Sequence, residues 1–134
     1  MARKNECYAD TSAFIAFLDR SDSYHSAFLK LFSEPPALVT SALVIAEGHA
    51  WFLRRYDGRR AVQFLTFLDT FAPLTVASFG SVEASAAGAI VRRYAGQKLT
   101  LADAHGLAIM RDRKITSCWS TDRHLGLMGV PLVV

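Results

Sequence analysis

Four acids, Asp10, Glu47, Asp103 and Asp122, stand where a carboxylate can do chemistry. Asp10 ends a short apolar stretch and precedes Thr11-Ser12, and Asp122 follows the run Ile115–Ser120 and Thr121. Ligands of open parallel sheets gather outside the carboxyl ends of the strands, so two acids at two such ends point toward one crevice. Glu47 has Leu43, Val44, Ala50 and Trp51 as its helical neighbours. A carboxylate on such an apolar stripe costs several kcal/mol unless it is paired, hydrogen-bonded or metal-bound. Asp103 lies in Leu99–Met110, a segment apolar nearly all round and therefore read as a buried helix. Each acid also has an ordinary reading. Asp10 is placed to cap a helix, Asp122 to make a turn or cap, Glu47 to meet an arginine or lie on a partly wet stripe, and Thr100 with Asp103 to form a capping box.

Converging carboxylates repel one another and stay protonated unless a cation compensates them. An oxygen donor set without a matching Cys or His set favours Mg²⁺ or Mn²⁺ over zinc. Such ions activate water and neutralise charge on a phosphate, the usual route to phosphodiester hydrolysis.

Short apolar strands alternating with amphipathic helices must position these acids, a pattern that predicts an α/β fold with a mainly parallel sheet. Strands are expected at residues 6–10, 37–40, 74–77, 115–120 and 131–134. Helices are expected at residues 12–18, from Ser21-Asp22 to about Phe32, 42–56 with Ser41 as cap, 59–70, 81–94 closed by Gly96, and 100–111. A short helical turn should follow the fourth strand.

The 134 residues suit one domain, 1–134, and 51% hydrophobic residues with 9 Phe exclude disorder. With 20% charged residues the surface is lean in charge, consistent with a covered face in a dimer or against a partner. No secretory signal follows Met1, and no apolar run is long enough to span a bilayer, so a cytoplasmic protein without a membrane association is expected. Cys7 and Cys118 sit in apolar strand-like stretches and read as buried hydrophobes. The net charge of +3 permits a polyanionic partner. The basic pairs Arg54-Arg55, Arg59-Arg60, Arg92-Arg93 and Arg113-Lys114 read first as helix ends and solvated faces.

Taken in order, Asp10-Thr11-Ser12, Ile45-Ala46-Glu47, Leu101-Ala102-Asp103-Ala104-His105-Gly106-Leu107-Ala108 and Ser120-Thr121-Asp122-Arg123-His124 resemble the PIN-domain ribonucleases, most closely the VapC-type toxins of bacterial toxin–antitoxin pairs. The resemblance covers the chain from Tyr8 to its end. It implies a three-layer α/β/α sandwich with a parallel central sheet and Mg²⁺- or Mn²⁺-dependent cleavage of RNA. Asp10, Glu47, Asp103 and Asp122 match the family's acidic quartet, and Ser12 and Thr121 match positions that support it by hydrogen bonds. Asp10 and Asp103 are then expected to ligate the principal metal, with Glu47 and Asp122 completing the cage directly or through water. The family further implies a homodimer and a cognate antitoxin whose tail enters the site. Some members carry a further acid where this chain has His124, and an aromatic where it has Leu125.

Arg123 and His124 are candidate RNA contacts beside the last acid. His105 reads as a satisfied core histidine, and Trp51 and Trp119 read as packing. No glycine-rich phosphate loop occurs. An aspartyl phosphatase would want an acid where Ser12 stands, and a receiver would want adjacent acids after the first strand. The other alternative is a catalytically inactive scaffold of the same fold.

Overall fold

The computed structural model describes residues 6–133. Met1–Asn5, where no secretory signal was read, and Val134, the expected end of the last strand, lie outside the described residues. The chain runs β1 (Cys7–Ala9), α1 (Thr11–Leu18), α2 (His25–Ser33), β2 (Leu38–Ser41), α3 (Ala42–Arg55), α4 (Gly58–Thr70), β3 (Leu74–Ala77), α5 (Ser81–Arg93), α6 (Leu101–Asp112), β4 (Cys118–Trp119) and β5 (Leu132–Val133). Short 3₁₀ turns occupy Ala95–Gln97 and Arg123–Gly126. The strands form one sheet in the order β3-β2-β1-β4-β5, and every adjacent pair is parallel. No described helix is long and apolar enough to cross a membrane.

Successive strand residues face opposite sides, and the buried residues sort accordingly. Cys7, Ala9, Leu38 and Trp119 pack with Phe14 of α1, Phe28 and Phe32 of α2, Val44 and Phe52 of α3, and Phe64 and Leu68 of α4. Tyr8, Val39 and Cys118 pack on the other side with Ala87 and Ile90 of α5 and Ala104, Leu107 and Met110 of α6. The result is a three-layer α/β/α sandwich with a parallel central sheet. Two glycines permit close approaches on which the site depends. A Cβ at Gly48 would strike the Phe64 ring between α3 and α4, and one at Gly106 would lie 2.8 Å from the Tyr8 hydroxyl, between α6 and β1. Both cysteines are buried, and burial raises both thiol pKa values, which leaves them poor nucleophiles.

Three local expectations need correction. The second helix starts at His25, not at Ser21-Asp22, because Asp19 accepts from the Ser21 N–H (3.1 Å) and Asp22 from the Tyr24 N–H (2.8 Å), which folds the segment into turns. Gly96 does not close α5; the helix ends at Arg93 with Tyr94 as its C-cap, a 3₁₀ turn follows, and the left-handed residue is Lys98 (φ 56°). The fourth strand is only Cys118–Trp119, since Lys114 (φ 54°) and the Ile115 N–H bond to Met110 O (2.9 Å) spend the preceding residues on leaving α6.

Candidate functional site

From β1 the chain steps outward through β2 to β3 with α1–α4 on one face, then returns over the other face by α5 and α6 to β4, beside β1. The winding therefore reverses between β1 and β4, and the crevice of such a sheet opens at the carboxyl ends of those two strands. Asp10 directly follows β1 and Ser120 directly follows β4, and the Asp10 N–H donates to Trp119 O at 3.0 Å.

Asp10 occupies the N-cap position of α1 without capping it by its side chain. Its Oδ2 accepts from Ser120 Oγ (3.0 Å) and Ser12 Oγ (3.2 Å). Ser12 Oγ accepts in turn from the Thr121 N–H at 3.0 Å. Burial pushes the Asp10 carboxyl up to about 6, the Ser120 hydroxyl and the Thr11 backbone oppose this, and the charges of Asp103 and Glu47 add to it. No ion pair among the described residues includes Asp10.

Asp103 sits in the first turn of α6, where it and Thr100 form a reciprocal capping box: Thr100 N–H to Asp103 Oδ2 is 3.2 Å, and Asp103 N–H to Thr100 Oγ1 is 3.1 Å. The capping box that the spacing offered is therefore formed. Burial raises its pKa first; the Thr100 backbone and hydroxyl oppose this, Asp122 adds to it, and His124 opposes it. Asp122 Oδ1 lies 2.9 Å from both the backbone nitrogen and Nδ1 of His124, and the Asp122 N–H donates to Ser120 Oγ at 2.9 Å. One donor atom from each of Asp103, Asp122 and His124 falls within 4.8 Å of the others, a spacing suited to one cation.

Glu47 departs from the apolar-stripe expectation. The buried face of α3 is Val44, Gly48 and Phe52, and Glu47 is exposed on the side facing the crevice. Asp10, Thr11, Ser12, Ile15, Glu47, Trp51, Arg54 and Asp122 line a cleft of about 200 Å³. Thr11 Oγ1 is buried without a hydrogen-bond partner among the described residues, a spare polar atom in the cleft wall.

Asp10, Glu47 and Asp122 therefore share the cleft, and Asp103 interacts electrostatically with Asp10 and Asp122. Ser12 holds Asp10 as the sequence suggested. Thr121 contributes its backbone N–H, while its side chain is exposed. The hydroxyl of Ser120, fully buried, was not anticipated. Its signal was a polar residue closing an apolar strand just before the loop acid. Trp51 and Arg54 were also unanticipated in the cleft, although they follow Glu47 at helical spacing. Trp51 packs on the core as expected and lines the cleft as well, whereas Trp119 is wholly core. Arg123 is exposed on the 3₁₀ turn, and His105 is a satisfied core histidine bonded to Ser41 Oγ and edge-on to Phe79.

The sequence matches the family model described as PIN domain over residues 7–129. No curated protein gives a significant match. Among solved structures, VapC20 of Mycobacterium tuberculosis, described as a sarcin-ricin loop cleaving toxin, aligns with a TM-score of 0.84 at 23% identity, covering 93% of this chain and 96% of that one. A toxin–antitoxin complex from Klebsiella pneumoniae aligns at 0.61 with 18% identity, covering 96% of each chain. VapBC2 of Rickettsia felis, bound to a DNA fragment from its promoter, aligns at 0.61 with 12% identity, covering 96% of this chain and 97% of that one. At these identities the likeness to the solved structures is one of fold.

Proposed function

The chain belongs to the PIN-domain family, and from that membership we propose that it is a metal-dependent endoribonuclease, the toxin of a VapBC-type toxin–antitoxin pair. The observation that supports this most directly is a crevice of carboxylates at the strand reversal in which, among the described residues, no ion pair includes Asp10. The donor set fits a hard divalent ion: carboxylate oxygens predominate, one imidazole stands beside them, and Thr11 Oγ1 is a spare polar atom. Asp10, Asp103 and Asp122 would hold Mg²⁺ or Mn²⁺, with Glu47 completing the cage or orienting the attacking water. Such an ion supplies a water of lowered pKa and neutralises charge on the phosphate. Ser12 and Ser120 fix the Asp10 carboxylate, and Asp122 and His124 hold each other in register. Arg123 and His124 lie beside the last acid, where RNA would contact them. The similar structures that are toxin–antitoxin complexes support an antitoxin partner for this chain, and family membership supports a homodimer.

Purified protein should cleave labelled structured RNA, with a sarcin-ricin hairpin in the panel, when Mg²⁺ or Mn²⁺ is present. EDTA and Asp10→Asn should each abolish cleavage. Cleavage that survives in Asp10→Asn would defeat this reading. Folded, inhibitor-free protein that cuts nothing and takes up no Mn²⁺ would leave the inactive scaffold.

A further inference from the structure

A cationic and aromatic lane leaves the acidic cleft along the groove between α1 and α3. Trp51 and Arg54 stand four and seven residues beyond Glu47, which puts all three on one helical face, and both line the cleft beside Ile15 of α1. One turn further along α1 the surface opens into a dish of about 520 Å³ lined by Leu18, Arg20, Ser21, Tyr56, Arg60 and Gln63, with Asp19 at its base. The Trp51 and Tyr56 ring centroids are 6.2 Å apart, so the two depressions adjoin. From Glu47 to Tyr56 the helical rise amounts to about 13 Å.

Two guanidiniums approach the Tyr56 ring, with Arg60 Cζ 4.2 Å and Arg55 Cζ 5.1 Å from its centroid. Its hydroxyl donates to Asp19 Oδ1 at 2.8 Å, and the same oxygen accepts from the Ser21 N–H (3.1 Å) and hydroxyl (2.8 Å). Asp19 is buried under these bonds, so its charge serves the fold. Arg20 and Arg54 are exposed, and no ion pair or hydrogen bond among the described residues engages either side chain. The basic pairs of the sequence thus divide. Arg113 is spent on Glu6 and Arg93 lies over Tyr94, while Arg54-Arg55 and Arg59-Arg60 flank the lane at the junction of α3 and α4.

An acidic cleft repels the phosphates on either side of the bond it cuts, so cations beyond the carboxylates must compensate them. Unpaired guanidiniums interleaved with aromatic faces suit single-stranded nucleic acid, whose backbone tracks the cations and whose bases stack on the rings. We propose that this lane binds the single-stranded RNA flanking the scissile bond. Trp51 stacks a base beside the cleft, Arg54 and Arg20 hold phosphates, and the Tyr56–Arg60 stack takes a further base. The identity of the ligand rests on the ribonuclease reading above; the lane itself is tested without cleavage.

The test is fluorescence anisotropy in EDTA with labelled oligouridylates of about four and about twelve nucleotides. The longer probe should bind more tightly. Arg20→Gln/Arg54→Gln should weaken the longer probe about tenfold and reduce the slope of log affinity against log salt by about 1.4, two single-strand phosphate contacts' worth. Trp51→Leu should weaken it by roughly 5- to 100-fold. Should that variant misfold, the exposed arginines still decide the matter. Unchanged affinity and salt slope in the arginine variant, no binding by the unaltered protein, or displacement by polyglutamate as effective as by RNA would each overturn the lane. Protein that binds RNA along the lane but cleaves none in Mn²⁺ would sink the nuclease reading alone. Protein that cleaves with the same KM before and after the arginine substitutions would sink the lane alone.

Discussion

Glu6 and Asp10 bracket β1, and both are buried, at 4% and 5% exposure. Their surroundings are opposite. Glu6 meets Arg113 in a two-pronged pair, Nε to Oε1 at 3.0 Å and Nη2 to Oε2 at 2.8 Å, which ties the entry of β1 to the exit of α6. Among the described residues Asp10 meets only hydroxyl and backbone donors, and the charges that shift it are the like charges of Asp103 and Glu47. A buried acid with its cation in place fastens the fold. A buried acid among other acids is held at a cost, which a cation bound from solution would relieve on the reading proposed above. On the nuclease reading proposed above, the amino end of β1 serves stability and its carboxyl end function, and substitutions at the two ends should separate those properties.

The widest separation is expected at Asp10. Asp10→Asn should lower cleavage by 10³-fold or more, about 4 kcal/mol of barrier, yet stabilise the metal-free protein at neutral pH. The folded carboxyl titrates near 6 against an ordinary value of 3.8. The stability linked to its proton is full below 3.8 and disappears as pH rises through about 6, on the order of 2–3 kcal/mol for so buried a group. In EDTA the unaltered protein should therefore lose melting temperature between about pH 4 and about pH 6.5, and Asp10→Asn should lose less; parallel curves would contradict the account of Asp10. Adding Mn²⁺ at about 100 times its Kd should restore about 2.7 kcal/mol to the unaltered protein. The rise in melting temperature should shrink sharply in Asp10→Asn and in Asp103→Asn. At the other end of the strand, Arg113→Ala strands the Glu6 carboxylate and should cost about 2–3 kcal/mol of stability, discounted because 38% of the Arg113 side chain is solvated. Specific activity of the folded fraction should stay within about twofold. A selective loss of kcat there would blur the distinction between the two ends.

The same contrast explains what the sequence made legible. Asp10 and Asp122 stood out because each follows a short apolar strand, and strand ends are where a parallel sheet binds its ligands. Asp103 could be placed because its helix is apolar on every side and its capping partner lies three residues upstream. Glu47 was misjudged as lying on a buried stripe: helical period identifies its neighbours but not which arc of α3 borders open space, and that is set by the packing of Gly48 on Phe64. Ser120 escaped because its bond to Asp10 spans 110 residues and exists only through the β1–β4 pairing. The bidentate Glu6–Arg113 pair, 107 residues apart, was hidden for the same reason. Local chemistry is visible in one sequence; partners brought together by sheet order are not.

Ser120 gives the finest test, because it adjusts Asp10 without bearing charge. Its hydroxyl donates to Asp10 Oδ2 at 3.0 Å and opposes the upward push of burial. Ser120→Ala removes that bond, so the folded Asp10 carboxyl should titrate still higher. The acidic limb of the kcat/KM profile should then move to higher pH, and metal affinity should fall about tenfold, as for lost outer hydrogen bonds at other metal sites. The Asp122 N–H loses the same acceptor, so some loosening of the loop is expected as well. Loosening alone would lower activity evenly across pH. A uniform drop without a shifted limb would mean that Ser120 serves the loop and that Asp10 is tuned by its like-charged neighbours alone. A shifted limb with near-normal activity on the alkaline side would make this one hydroxyl the difference between an Asp10 carboxyl that is largely ionised at neutral pH and one that is partly protonated there.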